Sequence, residues 1–528
     1  MLKGYNLLGN TETAEGNIYL QVFSTVRQMN LPEKFTTATA AEVDQAVTIA
    51  SKAFQIYKNV SPESKAVFLE TIAAEIENIG EELIERAKLE TGLTEQRLIG
   101  ERGRTTSQLK LFAALLREGS WVEAVIDEAI PDRKPLPRSD LRKMNVPIGP
   151  VVVFGASNFP FAFSTAGGDT ASALAAGNPV IVKAHASHLG TNELIAAAIK
   201  KAVVKTNMPD GVFSFVIGEG AVTGMQLVKH PGVKAVGFTG SFRAGMAIFK
   251  AAVNERELPI PVFAEMSSIN PVLVLPSKLK QELQGLANKL AGSIALGVGQ
   301  FCTNPGLLFV IEDESFDEFA KKLAESLAAI PEASMLNAGI CQSYYVNRQS
   351  IASQNGVTIL YMGDHGGESF KGSTALLQVD AEQFISNPAL QNEIFGPASL
   401  IVKCRDESSL LHAVHALHGQ LTGTILGDEN DMKRFSDLIN VIAEKVGRLI
   451  YNGVPTGVEV SHAMVHGGPF PATTDARSTS VGADAIKRFV RPFCYQDFPY
   501  EFLPDALKNE NPLHIMRKVN AMYTKDPI

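Results

Sequence analysis

From residue 149 to 265 short apolar runs alternate with longer alanine-rich stretches. The runs, at 151–154, 179–183, 212–217, 233–238 and 261–264, have strand length, and the stretches between them, 163–176, 189–204, 221–229 and 242–253, carry helical character. Near-continuous apolar strands separated by helical crossovers predict a parallel sheet with both faces covered. Upstream, Val43, Ala46, Val47, Ala50, Phe54 and Tyr57 recur on one helical face behind the capping-box spacing Thr39-Ala-Ala-Glu42. Ser61-Pro62 reads as the start of a second helix, and amphipathic patterns continue to about Arg117 with breaks expected near Gly92 and Gly100. Two strand-like stretches, 122–130 and 140–146, flank a Pro131–Pro135 turn and predict a projecting hairpin. A second α/β region spans about 271–447, with helices near 278–296 and 315–328. It is followed by a loop-rich stretch, a helix near 483–489 and a tail rich in Pro, Phe and Tyr.

The chemistry concentrates in Gly297-Val-Gly-Gln-Phe-Cys302-Thr-Asn-Pro-Gly306. Glycines at 297, 299 and 306 let the backbone turn sharply and present the thiol of Cys302 together with its N–H. The other cysteines, Cys341, Cys404 and Cys494, lack such a frame and read as small apolar side chains. Upstream, Glu265 lies in Val262-Phe-Ala-Glu-Met-Ser-Ser-Ile-Asn270-Pro, so a nucleophile and a separate base are both available for covalent catalysis. Carboxyl ends of parallel strands are the usual ligand-binding edge, which points to Asn158, Lys183 and Thr239-Gly240-Ser241. No G-x-G-x-x-G fingerprint occurs, but Gly240-Ser241 ahead of a helix can set backbone N–H groups beside a pyrophosphate. Glu393 sits in Asn392-Glu-Ile-Phe395-Gly-Pro397, an acidic residue joined to a rigid turn. His462 and His466 have a metal-like i, i+4 spacing, yet they precede Gly-Gly-Pro and no acidic or cysteine ligand adjoins them in sequence, so no metal site is assigned.

Bulk composition narrows the partners. A chain of 528 residues with 45% hydrophobic and 20% charged positions can bury a large core, and a net charge of −8 offers no broad basic surface for nucleic acid or anionic membrane. Four widely spaced cysteines indicate neither a disulfide framework nor a structural zinc site. Nothing near Met1 has the apolar core of a signal peptide, and no run reaches membrane-spanning length, so a cytoplasmic location is expected.

Taken in chain order, Gly155-Ala-Ser-Asn158-Phe-Pro160, Lys183, Phe238-Thr-Gly-Ser241, Glu265-Met266, Gln300-Phe-Cys302 and Glu393-Ile-Phe395-Gly-Pro397 resemble the aldehyde dehydrogenase superfamily across nearly the whole length. The resemblance implies a Rossmann-like parallel-sheet cofactor domain (1–120 and 147–265), an α/β catalytic domain containing Cys302 (266–482) and a small β oligomerisation element (121–146 and 483–528), with dimers or tetramers. It implies Cys302 as nucleophile, Glu265 as base and Asn158 as oxyanion donor. Lys183 and Glu393 would hold the two riboses, Phe395 would pack near the nicotinamide, and Gly240-Ser241 would meet the pyrophosphate. Met266-Ser-Ser-Ile-Asn-Pro, His466-Gly-Gly-Pro-Phe-Pro-Ala and the long tail are most similar to a bacterial branch that oxidises 2-oxoglutarate semialdehyde; a related branch takes long aliphatic aldehydes. An acylating relative would have no need of a base at position 265, and an inactive copy would not need thiol, amide and base together. Arg243 and Arg477 stand as candidates for holding a substrate carboxylate.

Two departures matter. Ser157 precedes Asn158 where the superfamily has tryptophan, and Ala186 stands where an acidic residue often follows the strand-end lysine. Lys183-Ala-His185-Ala-Ser187-His188 thus offers no carboxylate to repel a 2′-phosphate, while Lys183 supplies a cation and His185 and Ser187 are potential donors. NADP is therefore expected to serve at least as well as NAD.

Overall fold

A computed structural model describes residues 2–364 and 370–528. Two seven-stranded sheets run through it in tandem. The first has the order Val262–Glu265, Ala235–Thr239, Val151–Phe154, Val180–Lys183, Phe213–Val216, all parallel, extended by antiparallel Asn6–Leu8 and Thr11–Thr13. Successive residues of each strand serve opposite faces: Val151, Val153, Val180 and Val182 join one apolar cluster, Val152, Phe154 and Ile181 another. Both faces are consequently dry, as the unbroken apolar runs predict.

In the second sheet the order is Thr358–Met362, Ala375–Asp380, Ala398–Cys404, Leu307–Ile311, Pro271–Val274, Gln420–Leu426, Val446–Tyr451, with only the first strand antiparallel. Leu273, Leu307 and Phe309 pack to one side of it, and Val272, Leu308 and Val310 to the other. Five residues, 266–270, join the carboxyl end of Val262–Glu265 to the amino end of Pro271–Val274. The seam between the sheets therefore collects the carboxyl ends of one and the amino ends of the other.

The third sheet has the order Val490–Gln496, Leu141–Pro147, Val125–Asp127, Arg517–Val519, Met522–Thr524. The expected 122–130 strand is reduced to Val125–Asp127 plus an isolated bridge between Ile130 and Arg138, and the C-terminal tail supplies the remaining strands. Arg142 anchors that tail by donating to Leu507 O (2.6 Å) and Asn509 Oδ1 (2.7 Å).

Other expectations shift in instructive ways. The Thr39–Glu42 capping box and the Ser61 N-cap form as predicted, and Gly92 ends its helix in the left-handed conformation. Gly100, however, lies inside the long helix Glu95–Glu118. The helix expected from residue 163 begins only at Gly168; the preceding residues turn instead, with Gly167 N donating to Ser164 O and Gly168 N to Ala162 O, and the N–H groups of Phe161 and Ala162 are held by the buried Glu101 carboxylate. Residues 483–489 form a 3-10 turn, not an α-helix. No helix among the described residues is long and apolar enough to cross a membrane.

Candidate active site

Residues 297–299 all adopt left-handed backbone conformations, with φ of 57°, 58° and 64°. At Gly299 a side chain is impossible for a second reason, since a Cβ would stand 2.2 Å from the Gly396 carbonyl carbon. The thiol elbow is thereby pressed against the Glu393–Pro397 turn. Asn270, fully buried, clamps the elbow from behind: its Nδ2 donates to Cys302 O and Asn304 O, both at 2.8 Å, while its Oδ1 accepts from Ser268 Oγ and Thr422 Oγ1.

Cys302 Sγ lies 3.3 Å from His466 Nε2, and the same nitrogen lies 2.9 Å from Glu265 Oε1. Ser480 Oγ donates to Glu265 Oε2 at 2.6 Å. Burial pushes the Cys302 thiol well above the usual thiol range, and the Glu265 charge adds to this, while Arg104 pulls the other way. Burial also acts to raise Glu265, but the His466 ring, the Ser480 hydroxyl and the Cys302 thiol together hold it below the ordinary carboxylate range. At rest the pair is thus a neutral thiol beside a charged carboxylate. A hydrogen on Nε2 gives the thiol sulfur a donor, whereas the other tautomer would set a lone pair against the carboxylate; among the described residues neither Nδ1 nor Glu265 Oε1 has a hydrogen-bond partner. Glu265, Cys302 and His466 each offer one ligand atom, all within 4.8 Å of one another, so a soft divalent cation would also find ligands here.

This arrangement corrects the reading of His466. No helix connects it to His462, which is exposed, and an acid and a cysteine do adjoin it, brought by folding from 201 and 164 residues away respectively. The loop is fixed by His466 N donating to Thr479 Oγ1 (2.8 Å) and Ser480 N donating to His466 O (2.8 Å). A Cβ on Gly467 would come within 2.4 Å of Ser478 O. Sequence reasoning missed both His466 and Ser480; the Gly467-Gly468 pair beside the histidine is the same signal that singled out Cys302.

Asn158 is buried next to the elbow, its Nδ2 donating to Gln300 O at 3.1 Å, which leaves its second amide hydrogen for another acceptor. In front of the thiol opens a cavity of about 300 Å³, lined by Cys302, Thr303, His466, Phe159, Phe163, Phe301, Glu101 and the arginines Arg97 and Arg104 among others. Neither Arg243 nor Arg477 lines it: both are exposed, and Arg477 is paired with Asp475.

On the other side of the seam, Lys183 ends its strand buried, and among the described residues it makes no ion pair; burial lowers its amine to about 8, against the opposing charge of Glu219. His185 Nδ1 accepts from Ser187 N (3.1 Å), its ring stacks on His188, and burial drives its pKa well below the usual value, so it is a neutral donor, not a cation. Ser187 Oγ accepts from Asn337 Nδ2 at 2.9 Å and keeps its own hydrogen free. Ser241 caps the helix Phe242–Asn254 by accepting from Ala244 N, and residues 240–244 are all exposed around that helix start. Glu393, expected as a ribose ligand, is pushed up to about 7 by burial, with hydrogen bonds to Ser267 and Ser268 opposing; Phe395, two residues on, is half-buried. A lone buried amine, a half-neutral carboxyl and an open helix N-terminus along one cleft fit the hydroxyls and pyrophosphate of a dinucleotide.

Residues 20–469 match the Aldehyde dehydrogenase family, and the chain belongs to that family. It is 53% identical over 483 residues to alpha-ketoglutaric semialdehyde dehydrogenase 2 of Azospirillum brasilense, covering 92% of each chain. It is also 49% identical to alpha-ketoglutaric semialdehyde dehydrogenase of Acinetobacter baylyi, covering 93% of each. Among solved structures it resembles betaine aldehyde dehydrogenase from Staphylococcus aureus in complex with NAD+ (TM-score 0.79, 18% identity, 94% of this chain and 96% of that one). A similar likeness holds to NADP-dependent glyceraldehyde-3-phosphate dehydrogenase from Bacillus halodurans complexed with NADP (TM-score 0.78, 20% identity, 94% and 99%). The protein is an oxidoreductase that uses NAD(P) to oxidise an aldehyde to an acid.

Proposed function

We propose that the aldehyde is 2-oxoglutarate semialdehyde, oxidised to 2-oxoglutarate by the thiol of Cys302. The observation that carries the mechanism is the convergence of Cys302, Glu265 and His466 within 4.8 Å of one another, with Cys302 and His466 lining the cavity, and the two close relatives supply the substrate. Glu265 takes the thiol proton as sulfur adds to the aldehyde carbon, and the His466 Nε2–H steadies the thiolate on its way. The carbonyl oxygen becomes an alkoxide, which the free Asn158 amide hydrogen and the Cys302 N–H stabilise; one such donor contributes about 3 kcal/mol to the barrier. A bound nicotinamide supplies a hydride acceptor, so that the carbon–oxygen double bond re-forms as a thioester on Cys302. Once its first proton has passed to solvent, Glu265 deprotonates a water that attacks the thioester; the carbon–sulfur bond breaks and the acid leaves.

NADP is favoured over NAD in this reading. Ala186 is exposed where an acid would face the 2′ position, and Lys183, His185 and Ser187 can all donate there. The exposed carboxylate of Glu219, beyond the end of the next strand, helps to keep Lys183 charged, although its own negative charge opposes a phosphate. The cofactor region is read as 1–120 and 147–265 and the catalytic region as 266–482. The five-stranded sheet of 121–146 and 483–528 serves as the surface on which dimers or tetramers assemble, in the cytoplasm.

The test is kcat/KM for 2-oxoglutarate semialdehyde, other semialdehydes and decanal with each cofactor, followed by reduced-cofactor absorbance, with and without coenzyme A. Decanal ranking above every dicarboxylic semialdehyde would move the protein to the long-chain branch. In Glu265→Gln, which also loses the group that takes the thiol proton, one turnover of reduced cofactor should appear as a slowed burst, with an acyl adduct on Cys302 detectable by mass spectrometry. A burst without adduct would remove Glu265 from the hydrolytic step.

A further inference from the structure

The helix Glu95–Glu118 brings two guanidinium groups, seven residues and so two turns apart, to the same face over the thiol cavity. Arg97 is wedged between rings, its guanidinium 4.5 Å from the centroids of both Phe159 and Phe301, with Nη2 donating to Asn158 O at 3.3 Å. Arg104 lies 6.0 Å from the Phe159 ring and 5.7 Å from the Phe163 ring; Nη1 donates to Val458 O, while Nε is buried without a partner among the described residues. Its field reaches Cys302, which lowers the thiol pKa. Arg448 feels the same thiol, but it does not line the cavity, and its two Nη groups are spent on Pro455 O (2.9 Å) and Gly457 O (3.1 Å).

The opposing charges near the pair are few. Glu101 Oε2 lies 3.6 Å from Arg97 Nη2, but its Oε1 is committed to the N–H groups of Phe161 (2.8 Å) and Ala162 (3.0 Å), and Glu459 acts on Arg104 from further out. Two cations face the cavity against one carboxylate that is already half engaged. A guanidinium with unspent donors, set among aromatic walls, is a seat for a planar anion.

We infer that Arg104, assisted by Arg97, binds the carboxylate of the substrate, while Phe159, Phe163 and Phe301 hold its methylenes and Cys302 meets the aldehyde at the other end. The ligand class is a short aldehyde acid with only a few bonds between the two ends. This rests on the semialdehyde reading above and deepens it by assigning the specificity to named residues.

The experiment measures kcat and KM for 2-oxoglutarate semialdehyde, succinic semialdehyde and pentanal in wild type, Arg104→Met, Arg104→Lys and Arg97→Met, with thermal stability and cofactor binding as checks on the fold. For Arg104→Met, kcat/KM on the two acids should fall between about tenfold and about 100-fold, mostly through KM, with pentanal within about threefold of wild type and Arg104→Lys intermediate. Arg97→Met should fall in the same sense but less. Equal losses on acids and pentanal would show that Arg104 acts on the thiol and not on the substrate, and unchanged acid kinetics would overturn the inference outright. A wild type that prefers pentanal to both acids sinks the semialdehyde reading instead, whatever the variants do.

Discussion

Buried polar groups at the two ends of the cleft are treated in opposite ways. At the thiol end the carboxylate meets complements: Glu265 faces His466 and Ser480 and stays below the ordinary carboxylate range despite its burial. At the ribose end Lys183, His185 and Glu393 meet few or none, and burial drives all three toward neutrality. Desolvation is common to both ends, so the partner decides the charge. One end is preorganised for a reaction; the other is left incomplete in a way that a hydroxyl-rich, anionic ligand would complete.

Removing the nucleophile breaks the comparison most severely. In Cys302→Ala, aldehyde oxidation should fall on the order of 10⁴-fold or more while dinucleotide affinity, read by fluorescence titration, stays within about twofold. Retained turnover would dismiss the thiol mechanism. The same change at Cys341, Cys404 or Cys494 should leave the chemistry in place.

His466→Gln should lower kcat/KM about 10²-fold. The Cys302 thiol is already raised, so thiolate forms only as pH climbs towards that value; without the Nε2–H donor the value rises further, and the pH profile of iodoacetamide labelling should move to higher pH. A profile that stays put would reduce His466 to packing.

Placing an acid at the ribose end supplies the missing charge directly. Ala186→Glu should cost NADP about tenfold in kcat/KM and leave NAD nearly untouched. The NADP advantage of the wild type should also shrink above pH 8, where Lys183, held at about 8, loses its proton. Wild type favouring NAD tenfold would defeat the preference.

The smallest effect belongs to Glu393. Its carboxyl, pushed up to about 7, is neutral below that pH and charged above it, so kcat/KM for the cofactor should climb about fivefold as pH rises through 7 and the group becomes an acceptor for ribose hydroxyls. Glu393→Gln should flatten the curve; an unaltered inflection would assign it elsewhere.

The two ends also differ in how much of them the sequence discloses. Lys183, His185 and Ser187 fall within five residues of one strand end, so period and position are enough to find them. The apolar runs of the first sheet were legible for the same reason. The thiol end draws on residues 158, 265, 302, 466 and 480, and only those with a glycine frame or a strand terminus beside them stood out. His466 was weighed against its sequence neighbour His462, whereas its true partners lie across the fold. Arg97 and Arg104 were hidden by their helix, where an arginine every second turn reads as solvated surface. Gly100 misled in the opposite direction, since a glycine within a well-packed helix need not end it.

The span of 164 residues between Cys302 and His466 sets an order in time. As the chain leaves the ribosome, Asn158 and Glu265 precede the thiol, and both sheets up to Gln420–Leu426 can assemble before His466 or Ser480 exists as polypeptide. Through that interval the nucleophile has no imidazole at its side, and Glu265 lacks two of the groups that keep it ionised in a dry setting. The nascent protein therefore carries its nucleophile without its catalytic partners, and becomes an enzyme only when about the last eighth of its length closes over the seam.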